Sequence, residues 1–411
     1  MLRFLTAGES HGQALIVTIE GMPAGLPMTA EDLTRDLARR QLGYGRGRRM
    51  AIEQDRAEIL SGIRRGETIG SPIALLIRNR DWPNWEYAMS VEADPPATAG
   101  GARRAPVTRP RPGHADLAGG LKYERTDLRD ILERASARET AARVAAGAVA
   151  RVLLRRYGID VSSHVIGIGP AALPAPLDVT FDDLRRLAWD DDVRCVDAAV
   201  ADAMKRAIDA AKEAGDTLGG AFEVIAHHVP PGLGSYVQWD RKLDGRLGQA
   251  LLSIPAIKAV GFGRAAAVGG DPGSRVHDEI VLDESGDGMI PGLRRPTNRA
   301  GGLEGGVTNG EDVRATVWMK PISTLMKPLR SVDLETMTAA EAAIERSDVC
   351  AVPAAAVVGE AMVCFVLAQA WLERFGGDTI AAIDAAWQRD RRTIEARTGV
   401  KPGGVPGSPT L

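Results

Sequence analysis

Runs with the two-residue period of a strand and runs with the 3.6-residue period of a helix alternate along this chain, and neither a clean linker nor an internal repeat divides them. That interleaving confines the 411 residues to one large α/β domain, a size that a single core can still serve. The packing inside must be aliphatic. Hydrophobic residues make up 45% of the chain but aromatics only 4%, so Ala, Val, Ile and Leu have to fill the interior.

The pattern predicts the elements in order. LIVTIEG at 15–21 reads as a strand entered directly from the GESHG loop. Thr29 or Glu31 opens a helix that reaches about Arg40, with Leu33 and Leu37 on one face, and Gly43, Gly45 and Gly47 stop it. IEQDRAEILSGI (52–63) and PIALLIRNRDW (72–82) read as strands around a GETIG turn. Residues 84–113 carry many Pro, Gly and Arg and little periodicity; a loop of roughly 30 residues is uncommon unless it is functional or disordered. An alanine-rich helix is expected from about Leu128 to Tyr157, then a strand at SSHVIGIGP, helices across 180–214 and a strand in GAFEVIAHHV. A helix passing into a strand follows over 243–263, a glycine-rich loop region over 261–310, a strand in VRATVWMKP and two C-terminal helices. The domain is expected to span 1–398, with 399–411 as a flexible tail rich in Gly and Pro.

Charge narrows the function. The net charge of −3 and the pI near 6.1 argue against a general nucleic-acid binder. Yet no lysine precedes Lys122, and nine arginines lie between Arg35 and Arg65: Arg35, Arg39, Arg40, Arg46, Arg48, Arg49, Arg56, Arg64 and Arg65. The planar guanidinium fork matches phosphate and carboxylate oxygens. A solvated helix face explains some of these arginines, but not readily Arg46, Arg48 and Arg49 among glycines. Cys195, Cys350 and Cys364 cannot all pair and lack metal-ligand spacing, so buried thiols in a reducing compartment are expected. The N-terminus has no long apolar stretch of a signal peptide and no run of about 18 apolar residues stands out, so a cytoplasmic location without a membrane span is expected.

Six histidines are present. His164, His227 and His228 lie in strand-like runs where structural roles suffice, and the role of His277 is open. His227 and His228, adjacent on a strand, would point to opposite faces; with no H-E-x-x-H and no paired C-x-x-C, no metal site is expected. His11 and His114 sit on glycine-containing loops with polar neighbours, where site residues concentrate, and imidazole suits proton transfer near neutral pH. Three segments mix cations with hydroxyls or bare backbone in the manner of phosphate sites: Arg40–Arg49, Arg134–Thr140 and Lys320–Thr324. None is a Walker A loop. Together they suggest a ligand with several phosphate or carboxylate groups.

Five stretches then carry a resemblance. They are Gly8-Glu9-Ser10-His11-Gly12, Arg109-Pro110-Arg111-Pro112-Gly113-His114-Ala115-Asp116, the segment Glu133 to Thr140, the segment Asn298 to Gly306, and Arg346-Ser347-Asp348-Val349-Cys350-Ala351-Val352-Pro353. In this order, over residues 1 to about 395, the sequence resembles the chorismate synthase family. The resemblance implies a β-α-β sandwich with helices held between sheets. It also implies a carbon–oxygen lyase that uses reduced FMN to eliminate phosphate from 5-enolpyruvylshikimate-3-phosphate, with no net redox change. His11 resembles the histidine that protonates the departing phosphate, His114 the one that maintains the protonation state of the flavin, and Asp348 the aspartate that acts in proton removal. Arg40, Arg46 and Arg49, with Ser10 and Arg111, resemble the substrate-binding set, although Arg40 and Arg46 are assigned to NADP in some descriptions. Arg134, Ala135, Ser136, Pro255, Ala256, Gly305, Lys320, Pro321, Ile322, Ser323, Thr324 and Arg346 resemble FMN-binding positions. Pro255 departs from members with Asn or Gln there and lacks a backbone N–H, and Arg264 to Asp271 departs from the pattern. The resemblance further implies a homotetramer with flavin sites near subunit contacts. No large insertion is present, which points to an external flavin reductase, with NADPH possible as reductant. The competing readings are another FMN protein using the same site and an arginine-rich RNA binder; residues 35–65 hold one aromatic, Tyr44, too few for base stacking.

Overall fold

The computed structural model describes residues 1–47, 54–95, 100–101, 105–174, 176–283, 288–345 and 348–399. Two antiparallel sheets enclose a layer of helices. The first sheet contains β1 (Arg3–Ala7), β2 (Ala14–Glu20), β3 (Glu58–Ile59) and β4 (Ile73–Arg78) in the order β1-β2-β4-β3. The second contains β5 (Asp160–Ile168), β6 (Ala171–Ala172), β7 (Gly220–His227), β8 (Ile257–Phe262) and β9 (Val313–Met319) in the order β8-β9-β7-β5-β6. Alternation sets the faces: in β2, Leu15, Val17 and Ile19 point into the core while Ile16, Thr18 and Glu20 stay exposed.

Between the sheets lie α1 (Ala30–Gln41), α2 (Thr140–Arg156) and α5 (Val352–Phe375), flanked by α3 (Ala198–Glu213), α4 (Leu243–Leu252) and α6 (Ile380–Thr398). The first helix starts at Thr29, whose backbone N–H donates to Asp32 in a capping box. Small residues let the central pair approach closely: a Cβ added to Gly147 would lie 2.4 Å from the Cα of Ala361. α5 is long and apolar enough to cross a membrane, contrary to the sequence expectation that no such run exists. It is instead the core of the sandwich, with the second sheet and α1, α2 and α4 around it, which is why it needs no polar face.

One buried ionic network crosses this layer. Glu360, in mid-α5, accepts from Arg39 Nη1 (2.7 Å) and Nη2 (2.8 Å), Arg151 Nη2 (2.8 Å), Arg194 Nη2 (3.3 Å) and the Ser163 hydroxyl (2.6 Å). Asp36 adds bonds to Arg39 (3.2 Å) and Arg151 (2.7 Å). Burial pushes the Glu360 carboxyl up, but Arg39, Arg151 and Arg194 outweigh it and hold the group well below the usual carboxylate range. Arg39, one of the nine arginines, thus serves the core.

Three other expectations change. The helix expected over Leu128–Tyr157 is broken: a short turn at Arg129–Leu132 ends, Ser136 takes extended backbone (φ −67°, ψ 145°), its hydroxyl caps a 3₁₀ turn, and α2 starts at Thr140. Of the strand expected over 52–63, Glu58–Ile59 pair with β4, while Ile63–Arg64 turn away into a small hairpin with Glu67–Thr68; residues 52–53 lie outside the described residues. Finally, β7 ends at His227, and His228 takes a left-handed backbone (φ 57°). The two rings therefore stack at 3.9 Å instead of facing opposite ways.

Candidate active site

The break before α2 gathers the site. Ser136 sits just ahead of the helix N-terminus, where backbone N–H groups and the helix dipole favour anions. The loop between β1 and β2 comes down beside it. Ser10 donates its N–H to the Glu133 carbonyl (3.0 Å), and its hydroxyl accepts from that of Ser136 (3.1 Å). Gly8 makes this approach possible: at φ 103° a Cβ would lie 2.3 Å from the Ala14 carbonyl oxygen. Gly8–Gly12 has the G-x-S-x-G spacing, but it joins two antiparallel strands and is not the strand-to-helix elbow of a hydrolase. Arg134 ties the end of β1, donating to the carbonyls of Gly8 (3.1 Å) and Thr6 (3.1 Å) and to the Thr6 hydroxyl (2.8 Å).

His11 is fixed on this platform. Its Nδ1 lies 2.9 Å from both carboxylate oxygens of Glu133, and its backbone N–H donates to the same carboxylate (2.8 Å). The ring stacks on Trp85 with centroids 3.7 Å apart. Burial raises the Glu133 carboxyl, but the bonds from His11 and the nearby charges of His11 and Arg129 hold it below its ordinary value.

His114 has the same kind of partner. Its Nδ1 contacts Asp116 Oδ1 at 2.5 Å, and Asp116 is fully buried. Arg111 binds Asp116 through Nε (2.8 Å) and Nη2 (3.1 Å) and reaches the Thr324 hydroxyl with Nη1 (3.0 Å). Burial again pushes the carboxyl up, and the bonds from His114 and Arg111 bring it well below the carboxylate range. Lys320 donates to the Gly113 carbonyl (2.8 Å) and Ser323 lies beside Gly113, so the Lys320–Thr324 segment and the His114 loop form one wall. Burial, then repulsion from Lys258, lowers the Lys320 amine. The Lys320 N–H donates to the Ala256 carbonyl (2.9 Å), which brings the Pro255–Ala256 turn alongside; Ala256 is left-handed at φ 68°. Arg143 bridges this turn to α2, bonding Ser253 (2.7 Å) and Glu139 (2.8 Å).

A third wall holds Asp348. Its carboxylate accepts from Gly47 N–H (2.6 Å) and pairs with Arg46 (2.8 Å). Arg40 is buried and turned inward, donating to Thr140 Oγ1 (2.9 Å), Asp55 (3.2 Å) and the Ala137 carbonyl (2.9 Å). Burial, with Arg138 and Arg46 nearby, lowers its pKa to about 10 despite Asp55. Asp55 also holds Arg138 (2.5 Å), which grips Asn79 (2.9 Å), and the Asn79 amide binds the Gly12 carbonyl (2.6 Å) under the His11 loop.

The fold therefore brings together Ser10, His11, Arg134, Ala135 and Ser136, and likewise Arg111, His114, Pro255, Ala256 and the segment Lys320, Pro321, Ile322, Ser323, Thr324, and likewise Arg40, Arg46 and Asp348. Gly305 lies in a small hairpin between Leu303–Glu304 and Val307–Thr308. The hairpin residue Gly306 accepts from the Leu243 N–H at the start of α4 (2.9 Å). Arg49 and Arg346 lie outside the described residues. His277 lines a separate cavity of about 360 Å³ with Phe262, Asp278 and Arg299. Among the described residues no His/Cys/Asp/Glu group is placed to hold a metal. Sequence reasoning passed over Glu133, Asp116, Asp55, Asn79 and Trp85. The first two stand inside quoted motifs, two residues after His114 or on the far side of the loop contact; the others carry no local signal.

The chain can be set beside known proteins. The family model for chorismate synthase matches residues 2–372. A chorismate synthase of Moorella thermoacetica is 58% identical over 383 residues, covering 93% of this chain and 96% of that protein. One of Symbiobacterium thermophilum is 56% identical over 381 residues, covering 92% and 96%. A solved crystal structure of chorismate synthase superposes with a TM-score of 0.75 at 41% identity, covering 96% of this chain and 98% of the other.

Proposed function

The chain belongs to the chorismate synthase family, and from that premise we propose that it eliminates phosphate from 5-enolpyruvylshikimate-3-phosphate to give chorismate, with His11, His114 and Asp348 as its catalytic groups. The observation that carries the assignment of residues is the pairing of each histidine, at Nδ1, with a buried carboxylate, His11 beside the N-terminus of α2 and His114 beside Arg111, Lys320 and the Thr324 hydroxyl.

The residues fit reduced FMN. Lys320 stands near Lys258 with its charge disfavoured, and Ser323 and Thr324 supply hydroxyls beside it, a donor set that an anionic phosphate tail would satisfy. Pro255, Ala256, Ile322, Pro321, Arg134, Ala135 and Ser136 would complete the contacts, with Gly305 and Arg346 as the family's further positions. When bound, the flavin supplies transient electron density that assists loss of the C3 phosphate. The chain does the rest. Arg46 and Ser10 hold substrate anions near the positive end of α2, with Arg49 as the family's further position, while Arg40 and Arg111, bonded inward, set the walls. His11 delivers a proton to the departing phosphate, and Asp348, aligned by Arg46 and Gly47, would act together with the bound flavin in removing the C6 proton. His114, held by Asp116, keeps the flavin's protonation state. NADPH with an external flavin reductase would supply the reduced cofactor, in the cytoplasm, to a homotetramer.

The test is an anaerobic assay with photoreduced FMN and the enolpyruvyl phosphate, following phosphate and chorismate. His11→Ala and His114→Ala should each lower turnover by roughly 10²–10⁴ while FMN still binds. Wild-type rates in both variants would overturn the assignment of roles.

A further inference from the structure

We infer that Glu133 is the positioning residue of His11: it selects the Nδ1–H tautomer and presents Nε2 as the nitrogen that exchanges the proton with substrate. The inference rests on the reading of His11 given above and adds the group that makes it directional.

Four observations carry it. The Glu133 side chain is fully buried, so its charge needs compensation within the protein. That compensation comes largely from one residue: Glu133 takes both the backbone N–H and the ring Nδ1 of His11, with Arg129 at 3.5 Å as a weaker third contact. A carboxylate can only accept, so Nδ1 must carry the proton. Finally, Trp85 covers one face of the imidazole at 21° to its plane, and its own Nε1 donates to Asp81 (3.0 Å). Carboxylate at the edge and indole on the face fix both the tilt and the spin of the ring. The neutral ring then offers a lone pair at Nε2, and the imidazolium offers an Nε2 proton. The second nitrogen of a histidine is routinely set by such a partner.

The geometry also states why glutamate stands at this position. Two acceptor oxygens serve two donors of one residue at once, locking the loop backbone and the ring in a single act. A glutamine has one acceptor, and turning its amide N–H₂ toward Nδ1 would favour the opposite tautomer.

Glu133→Gln, nearly isosteric, is the variant to make, with Glu133→Ala beside it. Turnover should fall roughly 10–10²-fold in the glutamine variant, with substrate KM held within about threefold. Histidine ¹⁵N spectra of the FMN-loaded protein should show His11, assigned by its loss in His11→Ala, as the Nδ1–H tautomer in the wild type, and a changed tautomer balance in Glu133→Gln. In a His11→Ala background, adding Glu133→Gln should change turnover by less than about twofold, because Glu133 acts through the ring. An unchanged tautomer, or an undiminished effect of Glu133→Gln without His11, would overturn the inference. The spectra need no turnover. Failure of the positioning idea is therefore distinguishable from failure of the functional reading, which wild-type activity with reduced flavin decides.

Discussion

Replacing Glu360 by Gln removes the anion on which Arg39, Arg151 and Arg194 converge while keeping the side chain's volume, so no cavity term enters. Counting its five hydrogen bonds at about 1.5–3 kcal/mol each would exceed the whole stability of an ordinary domain, so the bonds cannot be additive. Asp36 still partners two of the arginines, and the amide oxygen keeps one acceptor. Breaking a buried pair from one side typically costs about 3–5 kcal/mol, and this case belongs in that range. Unfolding entropy near 2.1 cal/mol/K per residue gives about 0.86 kcal/mol/K for 411 residues, so Tm should fall by about 4–6 °C. Calorimetry at matched scan rates measures it. The pH dependence checks the cause. Glu360 has a depressed folded pKa against an ordinary value of 4.5, so its contribution is fully present above pH 4.5 and is lost as pH falls below it. The gap between wild type and variant should therefore be constant from pH 6 to 8 and narrow as the medium is acidified below about 4.5. A Tm shift under 1 °C, or a gap that widens in acid, would refute the electrostatic account of this network.

Three further outcomes are expected. Gly147→Ala forces a methyl against Ala361 at the α2–α5 crossing; overpacking of about 1–3 kcal/mol should outweigh the helix-propensity gain of up to about 1 kcal/mol, and chemical denaturation should show net destabilisation. Gly8→Ala demands a left-handed backbone and a Cβ 2.3 Å from a carbonyl, so the loop bearing Ser10 and His11 must move, and turnover measured with photoreduced FMN should drop at least about tenfold. The thiols of Cys350 and Cys364 are pushed up by burial to about 11 and about 12; a disulfide reagent at pH 8 should label them only after denaturation, and rapid labelling of the native protein would show the core opens.

The elements with the clearest periods were legible. β2, α1 from Thr29, β9 and α5 appear where alternation or helical spacing placed them, because each has one face, or in α5 all faces, against the core. β1 was not legible: its exposure alternates correctly, but Arg3–Ala7 is short and runs straight into the GESHG loop. The break at Glu133–Ser136 was hidden by composition. Alanine favours helix throughout the segment, and only the Ser136 hydroxyl, capping in place, and the seating of Ser10 against it decide otherwise.

The candidate site divides along the same physical line. Its cations and histidines stood out in the sequence because Arg, Lys and His beside glycine are unusual on their face. Their anions did not, since Asp and Glu are ordinarily solvated at the surface and nothing local separates a buried one from an exposed one. Yet the anions decide what each cation does. Arg39 and Arg40 are neighbours in one helix: Glu360 draws the first into the core, while Asp55 holds the second against the turn that starts α2. His11 and His114 each pair at Nδ1 with a buried carboxylate, Glu133 and Asp116, which come from 122 residues away and from two residues away respectively. A spacing of two can be read from a motif, but a contact across 122 residues exists only after β1, β2 and the capped break before α2 have assembled. The chemistry of this site is thus proposed by local sequence and given its orientation by long-range pairing.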